Sequence, residues 1–265
     1  MEAIYNSIGE GYDTTRRADS RIVSTLAELL PLSGTGRYLD VACGTGNYTA
    51  ALAGQGGAWN AFDQSKTMLM EAGSKSSAVS WHKMDAMQVG FPENTFDGVT
   101  CTLAIHHFPE ISKPFREIGR VLKPGSNFVL FTAFPSQMSL YWLVEYFPEM
   151  MSKACEQMPS QSEIDNALEE AGLSVNELRP FDISPDLEDF FLYSGKQRPE
   201  MYLSDSVRAG ISSFRNGFCS IEELESGLSK LRADIDSSQI DTVVSSYNNS
   251  GGDYMFVRAN KARNI

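Results

Sequence analysis

Hydrophobic positions follow two different spacings along the first half of the chain. Between Asp19 and Leu30, apolar residues recur at the spacing of one helical face, and Pro31 ends that pattern. Short strand-like runs then predict strands at Arg37–Val41, Ala58–Phe62, Val79–Met84, Gly98–Leu103 and Asn127–Thr132. Helical spacing between these runs occurs at Tyr48–Ala53, Ser65–Gly73 and Ile111–Leu122. Strands that alternate with helices predict an α/β fold with a parallel sheet.

The pattern changes after Phe134, where aromatic residues become frequent. We expect a helix over 139–151, a helix without a capping box over 162–171, a sixth strand over 175–183, helices to about 247 and a final strand over 254–259. The chain then divides into an N-terminal arm with the ligand-binding half of the core (1–133), a first cap segment (134–153), a core helix with the sixth strand (154–184), a helical cap (185–249), and the final strand with the C-terminal tail (250–265).

Composition and charge narrow the class of protein. Hydrophobic residues make up 42% of the 265 residues and charged residues 21%, which is typical of a globular protein with a buried core. The formal net charge of −12 argues against nucleic acid as a partner, because proteins that bind nucleic acid need a positively charged surface. We see no export signal and no apolar stretch near the roughly 20 residues that span a membrane, so we expect a cytoplasmic protein.

The four cysteines have no CxxC spacing, which favours reduced thiols and gives no support for a metal site.

A glycine turn follows the first predicted strand. Asp40 lies at the strand end, and the turn continues through Ala42, Cys43, Gly44 and Gly46 into a helix. Ligands of open α/β sheets bind at the carboxyl ends of strands, where glycines let the backbone come close to them. A plain strand-to-helix turn is the alternative, but the acid before Gly-x-Gly favours a nucleoside-type ligand.

The charge of this turn bears on the choice of nucleoside. Asp40 would repel the pyrophosphate of a dinucleotide, and Thr49 stands where the third glycine of a dinucleotide fingerprint is expected. S-adenosylmethionine carries a cationic ammonium and a sulfonium and has no phosphate. An acid at the strand end therefore favours S-adenosylmethionine.

Two further acids end the next two predicted strands. Asp63, followed by Gln64, is positioned to accept hydrogen bonds from two ribose hydroxyls, although an Asp there also commonly caps a helix. Asp85 can accept from an adenine amino group, while Ala86 offers its backbone N–H to the ring. A turn role is the alternative for Asp85.

These residues carry a family resemblance. Residues 38–49, 58–63, 80–86, 96–108 and 111–132 resemble the successive motifs of class I S-adenosylmethionine-dependent methyltransferases, especially the small-molecule ubiquinone/menaquinone group. The resemblance implies S-adenosylmethionine as cofactor and S-adenosylhomocysteine as product. It also implies a Rossmann-like, seven-stranded, mostly parallel sheet with an antiparallel last strand and helices on both faces, to which helical cap insertions are added. Ala42 replaces the commoner first glycine of the family.

The N-terminal segment resembles the arm that closes over the cofactor in many relatives. The resemblance implies that Tyr12 covers the site and that Arg16 meets the methionyl carboxylate; Arg17 is the alternative to Arg16, and a frayed surface arm is the alternative for both. Leu103 begins the segment that resembles the active-site motif, and we include it among the cofactor-binding residues.

Two histidines follow the fourth predicted strand. Methyl transfer needs alignment of nucleophile, methyl and sulfur, and a base where the nucleophile is neutral. His106 is the candidate base, with a hydrogen-bonded structural histidine as an equal alternative. His107 is less favoured as a base, because the two side chains diverge, and a structural role is the favoured interpretation for it. We interpret His82, which lies inside a strand, as structural.

The predicted cap is rich in aromatic residues, which form either the lid of an apolar pocket or the cap's own core: Tyr141, Trp142, Tyr146, Phe147, Phe190, Phe191 and Tyr193. Four basic residues nearby are Lys196, Arg198, Arg208 and Arg215. They either meet an anionic substrate group or pair on a solvated face with Asp186, Glu188, Asp189 and Glu200.

The leading hypothesis is a methyltransferase that acts on a small molecule. The alternatives are a methyltransferase of RNA or protein, a dinucleotide-dependent oxidoreductase, and a cofactor-binding protein without catalysis on the same scaffold. The sequence leaves open the identity of the acceptor, the acceptor atom and the oligomeric state.

Overall fold

The computed structural model describes residues 12–263 except Asn216 and Asn248, with Tyr12 described by its backbone alone. The strands are β1 (Arg37–Val41), β2 (Ala58–Asp63), β3 (Val79–Lys83), β4 (Phe96–Thr102), β5 (Leu122–Thr132), β6 (Leu173–Phe181) and β7 (Tyr254–Lys261). They form one sheet in the order β3-β2-β1-β4-β5-β7-β6. The first five strands are parallel, and β7 lies antiparallel between β5 and β6. This topology confirms the predicted fold class, including the antiparallel last strand.

Helices connect and cover these strands. They are α1 (Ser20–Leu29), α2 (Asn47–Ala53), α3 (Lys66–Lys75), α4 (Ser112–Val121), α5 (Pro135–Met138), α6 (Pro148–Glu156), α7 (Gln161–Glu170), α8 (Asp205–Ala209), α9 (Ile221–Asp236) and α10 (Gln239–Ser246). Short 3₁₀ helices occupy Tyr12–Thr14, Ile105–His107, Trp142–Glu145, Pro199–Leu203 and Ser212–Phe214.

The sheet separates two apolar layers. In β5, Val129 and Phe131 pack with α1 and the cap on one face, while Phe128 and Leu130 pack with α4 and α7 on the other. A parallel strand that is buried on both faces needs apolar residues at successive positions. This explains why the second half of β5 is a continuous apolar run in the sequence.

Two local predictions are wrong. Residues 139–151 do not form one helix: a 3₁₀ turn at Trp142–Glu145 is followed by α6, which begins at Pro148, because proline lacks an N–H and is best placed in a first helical turn. α7 does have a capping box, since it begins earlier than expected. Ser160 accepts from the Glu163 N–H at 3.3 Å, and the Glu163 carboxylate accepts from the Ser160 N–H at 2.7 Å.

The aromatic residues of the cap segments are buried in the same apolar layer as α1 and one face of the sheet. Tyr141 stacks on Tyr193 with ring centroids 3.8 Å apart, and the Trp142 indole donates to the Lys196 carbonyl at 2.9 Å. The predicted pairing of the basic residues is wrong for two of them. Lys196 pairs with Asp253 at 2.8 Å, and Arg208 pairs with Asp205.

Within the described ranges, no helix has the length and apolar character needed to cross a membrane.

Candidate functional site

A cavity of about 690 Å³ lies at the carboxyl ends of β1 to β4. It brings together most of the residues predicted from sequence: Arg16, Ala42, Cys43, Gly44, Asp63, Gln64, Asp85, Ala86, Leu103, His106 and His107. Asp40 and Gly46 lie outside the lining, and the Tyr12 side chain lies outside the described residues. Arg17 is exposed and does not line the cavity, so the structure places Arg16 at the site.

The glycine loop between β1 and α2 has three residues with left-handed backbone. Gly44 has φ 55° with no atom within 4 Å of an added Cβ, whereas a Cβ on Gly46 (φ 73°) would lie 2.4 Å from the Trp81 ring. Ala42 has φ 54°, a conformation that costs a residue with a Cβ roughly 1–2 kcal/mol. The strain at Ala42 accounts for the commoner glycine at this position in the family that the sequence resembles.

Asp40 lies behind this loop and is 2% exposed. Its carboxylate accepts from the hydroxyl of Thr49 and, at 2.9 Å, from that of Thr100. Burial raises the pKa of Asp40 to about 6, although both hydroxyl donors act in the opposite direction. Because Asp40 does not line the cavity, the role predicted for it would act through its charge and not by direct contact with a ligand.

Asp63 lines the cavity at the end of β2. One carboxylate oxygen accepts from the Gly44 N–H at 3.0 Å and the other from the Ser65 N–H at 2.8 Å. The N-cap of α3 is Ser65, so the alternative that Asp63 caps this helix is wrong. Each carboxylate oxygen can accept more than one hydrogen bond, and the geometry leaves acceptor capacity for a pair of hydroxyls. Burial also raises the pKa of Asp63.

Asp85 lies beyond the end of β3. Its carboxylate accepts from the Met87 N–H at 2.9 Å, so it forms the turn that was its alternative role, and it also lines the cavity. Met84, Met87 and Met68 complete an apolar wall beside Ala86. Such a wall can pack against a flat ring, and a carboxylate at its edge can accept a hydrogen bond from an amino group on that ring.

His106 and His107 form most of a 3₁₀ turn after β4, with ring centroids 3.8 Å apart. Leu103, which precedes the turn, has φ 53° and donates its N–H to the Phe131 carbonyl at 2.9 Å. Burial lowers the pKa of His106 well below its ordinary value and that of His107 to about 4, and the positive charge of Arg16 adds to both shifts. Both imidazoles are therefore neutral at neutral pH and able to accept a proton, although a low pKa weakens a base.

Tyr48 and Asp189 are among the cavity residues that sequence reasoning missed. Asp189 was predicted on a solvated face, but it is 1% exposed and accepts from Arg16 Nε at 2.5 Å and from the Tyr48 hydroxyl at 2.9 Å. No local pattern indicates this role, since 173 positions separate Arg16 from Asp189. Tyr48 was detectable in principle, because it lies in the first turn of the helix that follows the glycine loop.

The lining residues fit S-adenosylmethionine better than a dinucleotide. They include three carboxylates, at Asp63, Asp85 and Asp189, and Arg16 is the one lysine or arginine among the described lining residues. A wall with this charge favours a cation and disfavours a pyrophosphate. Metal ligands are also sparse: in the described part of the chain, no three His, Cys, Asp or Glu side chains are grouped so that they hold an ion.

Comparison with known proteins gives the family. The model of the "Methyltransferase domain" family matches residues 39–130, which include the glycine loop, Asp63, Asp85 and the histidine pair. The demethylmenaquinone methyltransferase of Bacillus licheniformis is 32% identical over 168 residues, which cover 54% of this chain and 72% of that protein.

Two solved structures are informative. A protein assigned as a methyltransferase of an antibiotic biosynthesis pathway in Anabaena variabilis has a TM-score of 0.82 and 34% identity, covering 93% of this chain and 99% of that one. Geranyl diphosphate C-methyltransferase of Streptomyces coelicolor, solved with Mg²⁺, geranyl diphosphate and S-adenosylhomocysteine, shares the fold at a TM-score of 0.58 and 14% identity, covering 92% and 79%. The resemblance seen in the sequence is confirmed, and the chain belongs to the class I S-adenosylmethionine-dependent methyltransferases.

Proposed function

We propose that the protein transfers the methyl group of S-adenosylmethionine to a small-molecule acceptor, with His106 as the residue that takes up a proton from a neutral acceptor. The observation that carries the proposal is the position of His106, on the wall of the same cavity that holds the glycine loop, Asp63 and Asp85.

Different residues of the chain bind different parts of the cofactor. Asp63 accepts hydrogen bonds from the ribose hydroxyls, Asp85 accepts a hydrogen bond from the adenine amino group, and Gly44 leaves open space beside the loop. When bound, S-adenosylmethionine supplies a methyl group on a positively charged sulfur, which a nucleophile displaces in line. His106 lines this region as a neutral imidazole that can accept a proton, and its lowered pKa makes it a weak base that takes up the proton only as methyl transfer makes that proton more acidic.

Size and charge support a small acceptor. A volume of about 690 Å³ lies within the usual range of sites for small molecules. A net charge of −12 disfavours RNA and any other polyanion as acceptor. The relative in Bacillus licheniformis is a demethylmenaquinone methyltransferase, which gives a precedent for a small apolar acceptor.

We also propose that residues 134–153 and 185–249 form a cap over the core. The location that we propose for the protein is the cytoplasm. All four cysteines are free thiols, which fits a reducing compartment.

The experiment is a screen of a metabolite extract with S-adenosylmethionine that carries a deuterated methyl group. We expect at least one small compound to gain one labelled methyl with the wild-type protein, and none to gain it with Asp63→Ala. Parallel reactions contain tRNA and a protein extract. Labelling of tRNA or protein alone, with no labelled small molecule, would overturn the proposed acceptor class.

A further inference from the structure

Two distant segments of the chain are joined residue by residue at the cavity. The Glu188 N–H donates to the Asp19 carboxylate at 3.2 Å, and the Phe190 N–H donates to the Thr15 carbonyl at 2.9 Å. Between these two hydrogen bonds, Asp189 forms an ion pair with Arg16. The cap segment is thus fixed against the arm at three successive positions.

The backbone of the arm is fixed from the opposite side by the glycine loop. Asp13 accepts from the Thr45 hydroxyl at 2.7 Å and from the Asn47 amide at 3.0 Å, and it pairs with Lys75 at 2.6 Å. The same Asn47 amide donates to the Arg16 carbonyl at 2.9 Å. The loop therefore determines where the Arg16 backbone lies, and Asp189 determines where its side chain points.

The ion pair has the geometry of an orienting contact. Arg16 Nε donates to one Asp189 oxygen at 2.5 Å, and the adjacent terminal nitrogen donates to the other oxygen at 3.3 Å. Tyr48 donates to that second oxygen. A two-point contact of this kind fixes the plane of a guanidinium, whereas a single contact does not. Asp189 is 1% exposed, so this restraint is shielded from solvent and weakly screened by salt.

The order of the strands gives the direction of a bound cofactor. Asp85 follows β3, Asp63 ends β2 and Gly44 follows β1, and these three strands are neighbours in the sheet. A ligand with its adenine at Asp85 and its ribose at Asp63 extends its amino-acid end towards the glycine loop. Arg16 lines the cavity at that end, where its carbonyl is held by Asn47.

We propose that Asp189 is a positioning residue for the amino-acid end of the cofactor. It orients the Arg16 guanidinium towards the methionyl carboxylate, and it thereby makes assembly of this half of the cofactor site depend on the cap segment. The inference rests on the cofactor-binding role assigned to Arg16, and it adds a residue that acts through Arg16 without contacting the cofactor's nucleoside.

The test compares two ligands that differ at one end. S-adenosylhomocysteine has the amino-acid end, whereas 5′-methylthioadenosine has the same nucleoside and sulfur without it. Calorimetric titration of Asp189→Asn should show affinity for S-adenosylhomocysteine reduced about tenfold or more, in line with a lost hydrogen bond to a charged group. Affinity for 5′-methylthioadenosine should stay within about twofold of wild type, since Asp189 acts on the other end.

Three further variants make the result specific. Glu188→Gln removes the same charge from an exposed neighbouring position and should leave both affinities unchanged. Arg16→Lys keeps the charge but loses the two-point contact, and it should show the same ligand-selective loss. In Arg16→Gln, addition of Asp189→Asn should weaken S-adenosylhomocysteine no further, because Asp189 acts through Arg16.

Equal losses for both ligands in Asp189→Asn would overturn the inference, as would unchanged affinity for S-adenosylhomocysteine or additive losses in the double variant. Failure of Asp189→Asn to fold leaves the test to Arg16→Lys and Arg16→Gln, where an equal loss of both ligands would again overturn it. A wild-type protein that binds neither ligand would instead contradict the cofactor assignment on which the proposed function depends.

Discussion

At the scale of single residues, burial gives the ionisable groups of the site properties that their sequence positions do not reveal. Asp40 is the last residue but one of β1 and Asp63 is the last residue of β2, yet Asp40 is buried against two hydroxyl partners while Asp63 lines the cavity. The sequence identified both acids because strand ends are local features. It did not distinguish a contact from a charge acting at a distance, which depends on how Thr49 and Thr100 pack.

The raised pKa of Asp40 predicts that cofactor affinity depends on pH. A cationic ligand favours the ionised carboxylate, and with a pKa of about 6 roughly one Asp40 in ten is ionised at pH 5. We expect affinity for S-adenosylmethionine to fall by up to about tenfold between pH 7 and pH 5, measured by calorimetry. Asp40→Asn keeps the shape and should bind more weakly at pH 7 with a flatter profile. An identical pH profile in this variant would contradict the role of the charge.

The pKa shifts of Asp40 and His107 affect the stability of the fold in opposite directions as the pH changes. The folded-state pKa of Asp40 is raised, so its contribution to stability is present below about pH 4 and is lost as pH rises through about 6. His107 has a lowered pKa, so its contribution is present above about pH 6.5 and is lost as pH falls towards 4. Thermal melts at each pH therefore accompany the titrations and separate lost affinity from partial unfolding.

His106 provides the test of proton transfer. If His106 takes a proton from a neutral acceptor, His106→Ala should slow the chemical step by roughly 100-fold or more while cofactor affinity changes little. Its lowered pKa predicts that the wild-type single-turnover rate stays level from pH 8 to about pH 6. His107→Ala is the matched control and should act mainly on stability. An unaltered rate and pH profile in His106→Ala would leave alignment alone as the source of catalysis.

At the scale of elements, the parallel half of the sheet was predictable and the cap was not. The buried stretches of β1, β4 and β5 are mostly apolar because both faces of the sheet are covered there, and this signal lies within each strand. The cap segments are determined by contacts between distant parts of the chain, such as Tyr141 with Tyr193. Their aromatic residues therefore indicated burial but not which surface they bury.

The capping box of α7 predicts a measurable contribution to stability. Ser160 accepts from the Glu163 N–H and fixes the first turn of the helix. Ser160→Ala should lower the free energy of unfolding by about 1 kcal/mol in urea denaturation. Glu169→Ala, which changes an exposed residue near the other end of the same helix, should cost less than about 0.5 kcal/mol. Equal effects of the two variants would argue against the cap.

At the scale of the whole molecule, three parts of the chain meet around one cavity. The strand ends supply Asp63, Asp85 and His106, the arm supplies Arg16 and the cap segment supplies Asp189. The strand ends were predictable because each acid or histidine follows its own apolar run. The meeting of arm and cap was not, since Arg16 and Asp189 are joined only by the tertiary fold.

This arrangement predicts a local response to the cofactor. Hydrogen exchange measured with and without S-adenosylhomocysteine should show added protection in 13–19 and in 185–198, because the ligand stabilises the contacts between Arg16 and Asp189. Any ligand also stabilises the folded state as a whole, which slows exchange in the central strand β5. The expected signal is therefore protection of the arm and the cap segment beyond the change in β5. Protection in these segments that equals the change in β5 would mean that the cap is a rigid accessory layer, because a lid must close more tightly when its ligand is present.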